Sequence, residues 1–266
     1  MNDLKVMTLN IWNGGMASSF QKRAASIQAM IHWHDPDIIG IQELTEPMLK
    51  DLSELAETYT FYGKARGSHG RSDERCCVLF RKSRFSFLDG ETFWLSATPD
   101  KPGSSFANSM FPRIATIAFL QDSLSGMQFT FANTHLDHLL PTVRTKQIEV
   151  LCAQLKQKQR GSFTVLTGDF NCSFPSMAFR LLEKDAQLNL KDTVPTDGVT
   201  TLRSFIQAGS SRFRPIDHIL VSKEMTVIKS EIITGMYMGR YPSDHNPVLT
   251  VLQLPEPEYE TYGDAE

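Results

Sequence analysis

The chain has 266 residues, 41% hydrophobic and 21% charged, with 27 Lys and Arg against 30 Asp and Glu, a formal charge of −3. This length suits one large α/β domain or two small ones and allows a sizeable core. The charge excludes a chain-wide basic field for gripping nucleic acid, while leaving local binding of a phosphate open.

The amino-terminal MNDLKVMTLNIW runs straight into a strand pattern. It has no charged segment followed by an apolar one, so no signal peptide is expected. Lys5–Ile11 alternates, with Val6, Thr8 and Asn10 on one face. A helix follows, capped by Ser18 or Ser19, with an apolar stripe of Phe20, Ala24, Ile27 and Ile31. His34-Asp35-Pro36-Asp37 ends it, because Pro forbids continuation. Ile38–Gln42 is a short strand stopping on Glu43, and Thr45 can cap a second helix carrying Leu49, Leu52 and Leu55.

The middle is β-rich. Cys76–Arg81 and Phe85–Leu88 read as strands, with Asp89-Gly90 as a hairpin turn and Thr92–Leu95 as the return strand. Ile114–Leu120 and Gln128–His135 pair across a turn at Asp122–Gly126. A helix at about 142–158 puts Ile148, Leu151 and Leu155 on one side. The strand Phe163–Leu166 then leads into TGDFNCS, and a helix near 176–184 follows. Residues 192–215 are loop-rich and hold Arg203, Arg212 and Arg214. Ile216–Val221, Val227–Ile233 and Val248–Leu252 are the last strands. The domain is expected to span residues 1–254, and 255–266, with five acids and two Pro, reads as a solvated, poorly ordered tail. No apolar run approaches the roughly 18 residues of a spanning helix, so no membrane partner is expected. Cys76, Cys77, Cys152 and Cys172 form no CxxC pair and read as reduced thiols of a cytoplasmic protein. Strands interspersed with three or four helices indicate a layered α/β fold.

Polar residues end the apolar strands repeatedly. Asn10, Glu43 and His135 close three of them; Asp169 and Asn171 close a fourth; Asp217 lies within RPIDHILVS, and Asp244-His245 precede the last strand. Each has a bland reading alone: Asn and Asp form turns, a Glu before a helix favours its dipole, and a strand-end His is often a satisfied rim residue. Strands of one layered fold can bring such ends together, so the joint pattern points to a shared site. Carboxylate and amide oxygens without a Cys ligand suit a hard divalent ion, Mg²⁺ or Mn²⁺, which neutralises phosphoryl oxygens and acidifies bound water.

The segments LNIWN, IQE, NTHLDH, GDFN, PIDHILVS and SDHNPV occur in the order found in the endonuclease/exonuclease/phosphatase superfamily, and the chain resembles that superfamily over about residues 4–254. The stretches FWLSATPDKPGS and PRIAT look like a bacterial branch of it. The resemblance implies a DNase I-like, four-layer sandwich of two mixed sheets flanked by helices. It implies that Asn10 and Glu43 are metal ligands, with Asp244 a further metal or histidine-supporting acid. Asp169 is implied to align the water or move its proton, with Asn171 as helper. His245 is implied to donate to the scissile phosphate, Asp217 to orient a histidine, and His135 to contact phosphate where abasic-site nucleases of the superfamily carry Tyr. Phe170, between Asp169 and Asn171, reads as core.

The chain departs from the bacterial branch in two loops, Phe106–Phe111 and Leu202–Phe205, while Arg113 and Arg144 keep their places and can clamp a phosphate, and Glu74 can reach the site. The expectation is a metal-dependent phosphoesterase acting on a small substrate such as a sugar phosphate. The alternatives are a DNA or RNA nuclease with the same site and a non-catalytic binding module on this fold; a lipid phosphodiesterase fits less well.

Overall fold

The computed structural model describes residues 3–14, 17–67, 73–173, 175–195, 199–203 and 214–254. Twelve strands among them form two six-stranded mixed sheets. The first runs in the order β11 (Thr226–Ile232), β12 (Val248–Gln253), β1 (Asp3–Asn10), β2 (Ile38–Leu44), β4 (Arg75–Arg81) and β3 (Tyr59–Tyr62). The second runs β5 (Phe85–Trp94), β6 (Ile114–Asp122), β7 (Gln128–His135), β8 (Thr164–Asp169), β10 (Asp217–Ser222) and β9 (Leu190–Asp192).

Alternation along the strands decides the layers. Val6, Ile38, Val78, Phe129, Phe131, Val165 and Ile219 meet between the sheets. The opposite face of the first sheet, with Met7, Leu9, Ile39 and Ile41, is covered by Phe20, Ala24, Ile27 and Ile31 of α1 (Ala17–His34). The outer face of the second sheet, with Ala115, Ile117, Ala132 and Leu166, takes Ile148, Leu151 and Leu155 of α4 (Pro141–Lys158) and Phe179 and Leu182 of α5 (Met177–Lys184). Phe170 joins this outer core. Each large apolar side chain buried in this way contributes about 1.5–3 kcal/mol. The result is the expected four-layer α/β sandwich.

Each sheet contains one parallel pair, β1 with β2 and β7 with β8, joined through α1 and α4 respectively. The carboxyl ends of a parallel pair lie at the same edge, which brings Asn10 beside Glu43 and His135 beside Asp169. The neighbours β10 and β12 run antiparallel to β8 and β1, so they present their amino ends there: Asp217 pairs with Asp169, and Val248, just after His245, pairs with Thr8.

Several local expectations differ from the structure. Asp89-Gly90 is not a turn: β5 runs unbroken along β6, with a register shift between Phe87 and Asp89. Gly90 is there for space, since a Cβ would lie 2.5 Å from the Tyr62 ring and 2.9 Å from the Ile117 carbonyl oxygen. The second helix is two short ones, α2 (Glu46–Asp51) and α3 (Leu55–Thr58); Thr45 takes the N-cap position without a side-chain cap bond. Ser18 and Ser19 lie inside α1, which begins at Ala17. The short strands β3 and β9 were not expected. All four cysteines are free and buried. The acidic tail and Arg212 lie outside the described residues. No helix among the described residues is long and apolar enough to cross a membrane.

A polar strut crosses the sheet interface below the site. Asn133 donates to the carbonyls of Ile41 and Cys77, both at 2.8 Å, and accepts from Gln42 at 2.7 Å. These carbonyls lie where the β2–β4 ladder loses register between Ile41 and Leu44. Gly40 allows the close approach, because a Cβ there would lie 2.0 Å from Thr167 Oγ1.

Candidate active site

The site is built at the edge where the six strand boundaries converge. On the second sheet Val165, Thr167 and Asp169 face the first sheet, so Asp169 emerges from between the layers and is 1% exposed. Its Oδ1 accepts from the Asn171 backbone N–H at 2.9 Å and its Oδ2 from Asn10 Nδ2 at 3.0 Å. His135 Nε2 lies 3.5 Å and His245 Nε2 lies 3.9 Å from the same Oδ2. His245 Nδ1 donates to Asp217 Oδ2 at 2.8 Å.

Glu43 reaches this group by breaking alternation. Strict period 2 would put it with Ile39 and Ile41 under the helices. The register shift, with Glu43 at φ +64°, turns it to the site, in the manner of a bulge that re-aims a side chain. There Glu43 Oε1 accepts from Asn10 Nδ2 at 2.9 Å and Oε2 from the Asn13 N–H at 2.7 Å. Trp12 at φ +54° and Asn171 at φ +49° share the left-handed conformation, so backbone strain collects at this edge. The Asn171 amide donates to the Leu136 carbonyl at 3.0 Å, tying the loop after β7 to the end of β8.

Electrostatics separates the two histidines. Burial, followed by Arg113 and Arg66, holds the His135 pKa well below the ordinary value, so it is neutral. Burial also opposes charge on His245, but the Asp217 carboxylate and its hydrogen bond overcome this and raise the pKa to about 10, so it is an imidazolium. Burial and the neighbouring Asp217 push the Asp169 carboxyl upward, against His245 and the hydrogen bonds from Asn10 and Asn171. Burial raises Asp244, with Glu43 near enough to add to the effect and His245 opposing it.

Two groups of residues could hold a cation. One ligand atom each from Asp169, Asp217 and His245 lies within 4.8 Å of the others. In that group His245 Nδ1 and Asp217 Oδ2 are engaged with each other and both Asp169 oxygens accept hydrogen bonds, while His245 Nε2 faces Asp169 and Asp217 Oδ1 is buried without a partner among the described residues. Glu43, Asn10 and Asp244 offer carboxylate and amide oxygens, the donor type a hard divalent ion takes; Glu43 accepts from Asn10 and Asn13, and Asn10 Oδ1 accepts from the Trp12 N–H.

Beside Glu43 and His135 lies a small open pocket, also lined by Arg66, Glu74 and Arg113. Arg113 is 4% exposed; its Nη2 donates to His138 Nδ1 at 3.0 Å, while Nε and Nη1 have no partner among the described residues. Leaving such a buried donor unpaired costs about 1–3 kcal/mol. Arg66 pairs with Glu74 and lies over the Phe111 ring, 4.6 Å from its centroid. Arg144 is not among the lining residues; its Nη1 donates to the Asp137 carbonyl at 2.9 Å. Arg203 stacks on Tyr241 and bonds to the Asp244 and Ser243 backbone, bracing the loop that carries His245. Arg66, Asn13 and His138 were not singled out in the sequence; Asn13 stood inside the LNIWN motif and His138 inside NTHLDH, whereas Arg66 lies in a loop whose place no periodicity reveals.

Two stacked mixed sheets, with carboxylates, amides and two unlike histidines at one edge, define a DNase I-like hydrolase fold. The model of the Endonuclease/Exonuclease/phosphatase family matches residues 7–245. The chain belongs to that family and is a hydrolase acting on phosphate ester bonds. Its structure is similar to that of an endonuclease/exonuclease/phosphatase from Bacteroides vulgatus (TM-score 0.85, 28% identity, 96% of this chain and 100% of that one). It is also similar to a mannosyl-6-phosphatase from Bacteroides thetaiotaomicron (TM-score 0.82, 27% identity, 94% of this chain and 100% of that one). Among curated proteins it is 26% identical over 156 residues to the CCR4-Not complex 3′-5′-exoribonuclease subunit Ccr4 of Emericella nidulans, covering 52% of this chain. The match spans about a quarter of that relative's length, 23%.

Proposed function

We propose that the protein is a metal-dependent phosphoesterase that hydrolyses a phosphate mono- or diester of a small molecule, such as a sugar phosphate, by direct attack of water. The observation that carries this reading is the line of contacts from Asp217 through His245 to Asp169, and from Asp169 through Asn10 to Glu43. Mg²⁺ or Mn²⁺ held by Glu43, Asn10 and Asp244 supplies neutralisation of phosphoryl charge and a more acidic water.

The remaining work falls to side chains. His245, with Nδ1 fixed on Asp217, donates from Nε2 to the developing phosphoryl charge. Asp169 aligns the attacking water, takes its proton and passes it to the leaving oxygen, for which a raised pKa is suited. Asn171 holds Asp169 through its backbone N–H. Neutral His135 contacts the phosphate, and Arg113, with Glu74 at the pocket wall, binds the substrate. The likeness to a mannosyl-6-phosphatase over nearly the whole of both chains supports a sugar phosphate. The likeness to an exoribonuclease subunit favours a second reading, hydrolysis at the 3′ end of RNA.

The test is a panel of sugar phosphates, inositol phosphates, nucleotides and single- and double-stranded nucleic acid, with protein stripped by chelation and then given Mg²⁺ or Mn²⁺. Metal-restored hydrolysis of a small ester is expected. Folded protein that cleaves nothing with either ion overturns the reading and leaves a binding module.

A further inference from the structure

We propose that the pocket between Glu43 and Arg113 receives the terminal oxygens of a phosphomonoester dianion, so that the enzyme selects monoesters over diesters. The proposal rests on the phosphoesterase reading above and commits it to one ester class.

The pocket has the right position. Glu43 and His135 line it together with Arg66 and Arg113, and His135 Nε2 lies 3.5 Å from Asp169 Oδ2, so the pocket adjoins the groups that act on the phosphorus. Three of its lining residues, Arg113, Cys76 and Ile114, are buried, at 4%, 3% and 2% exposed. An unsubstituted oxygen fits against such packed side chains with less room than a second ester arm needs.

The charge leaves Arg113 to an incoming anion. Arg66, Arg75 and Arg113 line the pocket with Glu43 and Glu74, and Arg75 Nη2 lies 3.8 Å from Glu46 Oε2. Glu74 is committed to Arg66 through Oε2 and lies 3.4 Å from Asn13 Nδ2 through Oε1. Glu43 accepts from Asn10 and Asn13. Arg113 makes no ion pair among the described residues, and its Nε and Nη1 are buried without an acceptor among them. Burial and then Arg66 work against the Arg113 charge, Glu74 and Asp169 support it, and an incoming anion would support it further. A phosphomonoester offers one more negative charge than a diester and an oxygen pair that a guanidinium can bind in bidentate fashion. The His138 contact and the stacking of Arg66 on Phe111 hold the two cations in place beforehand.

In the reaction the water oxygen bonds to phosphorus and the ester P–O bond breaks. The alcohol departs with the proton passed on by Asp169, and inorganic phosphate is left in the pocket. Phosphate is thus both product and probe.

The experiment compares p-nitrophenyl phosphate with methyl p-nitrophenyl phosphate, which share a leaving group, in wild type, Arg113→Lys and Arg66→Gln. Arg66 is half-buried, so its variant remains informative where Arg113→Lys fails to fold. Calorimetric titration with inorganic phosphate accompanies the kinetics. The wild-type monoester-to-diester ratio of kcat/KM should be about a hundredfold or more, and each variant should cut it by about tenfold or more, since an interaction with a terminal oxygen is lost only for the monoester. Phosphate affinity should fall in both variants. A wild type that takes the diester as readily, or variants that leave the ratio unchanged, overturn the proposal. If neither ester is cleaved with Mg²⁺ or Mn²⁺, the phosphoesterase reading fails. Phosphate binding that both variants weaken then still supports the anion pocket, and binding that is absent or insensitive to them removes it.

Discussion

His245 and Asp217 are joined by a 2.8 Å hydrogen bond from Nδ1 to Oδ2, although each comes from the amino end of a strand in a different sheet. The bond fixes which ring nitrogen is left to face the site, and it keeps the ring charged.

His245→Ala should lower kcat by about 10²–10³, the usual cost of removing one donor to developing charge. KM should change little, because the contact strengthens in the transition state. Asp217→Asn should act in the same direction, and the double variant should fall short of additivity, as for two members of one unit. Steady-state kinetics on the four proteins checks this; an effect confined to KM assigns His245 to binding alone.

The pH behaviour follows from the same pair. Since the folded pKa of His245 is raised to about 10 from an ordinary 6.5, its stabilisation is fully present below about pH 6.5. It is lost as pH rises through the folded value. Denaturant midpoints should decline across this window in wild type and decline less in Asp217→Asn. Nitrogen NMR of the ring should find an imidazolium at pH 8 in wild type; a neutral ring there contradicts the assignment.

Glu43→Ala should abolish tight Mn²⁺ binding and activity while the protein stays folded. The side chain sits half-buried at a strand end and adds little to the core. Because residue 43 has φ +64°, Glu43→Gly should be more stable than Glu43→Ala by about 0.5–1 kcal/mol. Manganese calorimetry and urea unfolding measure the two effects separately; unchanged affinity in folded Glu43→Ala removes Glu43 from the metal site.

Stability at the far edge should be separable from chemistry. Arg84 binds both oxygens of Asp122, at 2.9 and 3.2 Å, and Asp37 at 2.8 Å, tying the start of β2 to the end of β6. Removing one partner of so buried a group typically costs about 3–5 kcal/mol. Arg84→Met should lower stability on this scale with kcat retained in the folded fraction, as read by urea unfolding and by kinetics well below the transition.

The legible part of this molecule was its alternation. Val6-Thr8-Asn10 and Phe129-Phe131-Asn133-His135 occupy the inter-sheet faces that period 2 assigns them, and the ordered motifs pointed to the edge where they emerge. Glu43 was legible as a residue and not as a direction, because alternation turns it outward and only a backbone irregularity brings it back. Gly90 misled because a glycine needed to clear Tyr62 has the same letter as one needed for a turn. Asn13 and His138 end the LNIWN and NTHLDH motifs, so their position was marked but not their contacts; Arg66 reaches the site from a loop, where side-chain placement depends on tertiary contacts and leaves no local signature.

The central claim is that this edge hydrolyses a small phosphate ester. The most direct measurement is kcat/KM for a sugar phosphate, short RNA and duplex DNA at saturating metal across a salt series. Nucleic acid held through six or more phosphates would lose about 10³-fold or more in affinity between 50 and 200 mM salt. The account predicts that the sugar phosphate is preferred and that its rate depends only modestly on salt. A preference for nucleic acid of about a hundredfold, with a steep negative salt slope, would contradict it.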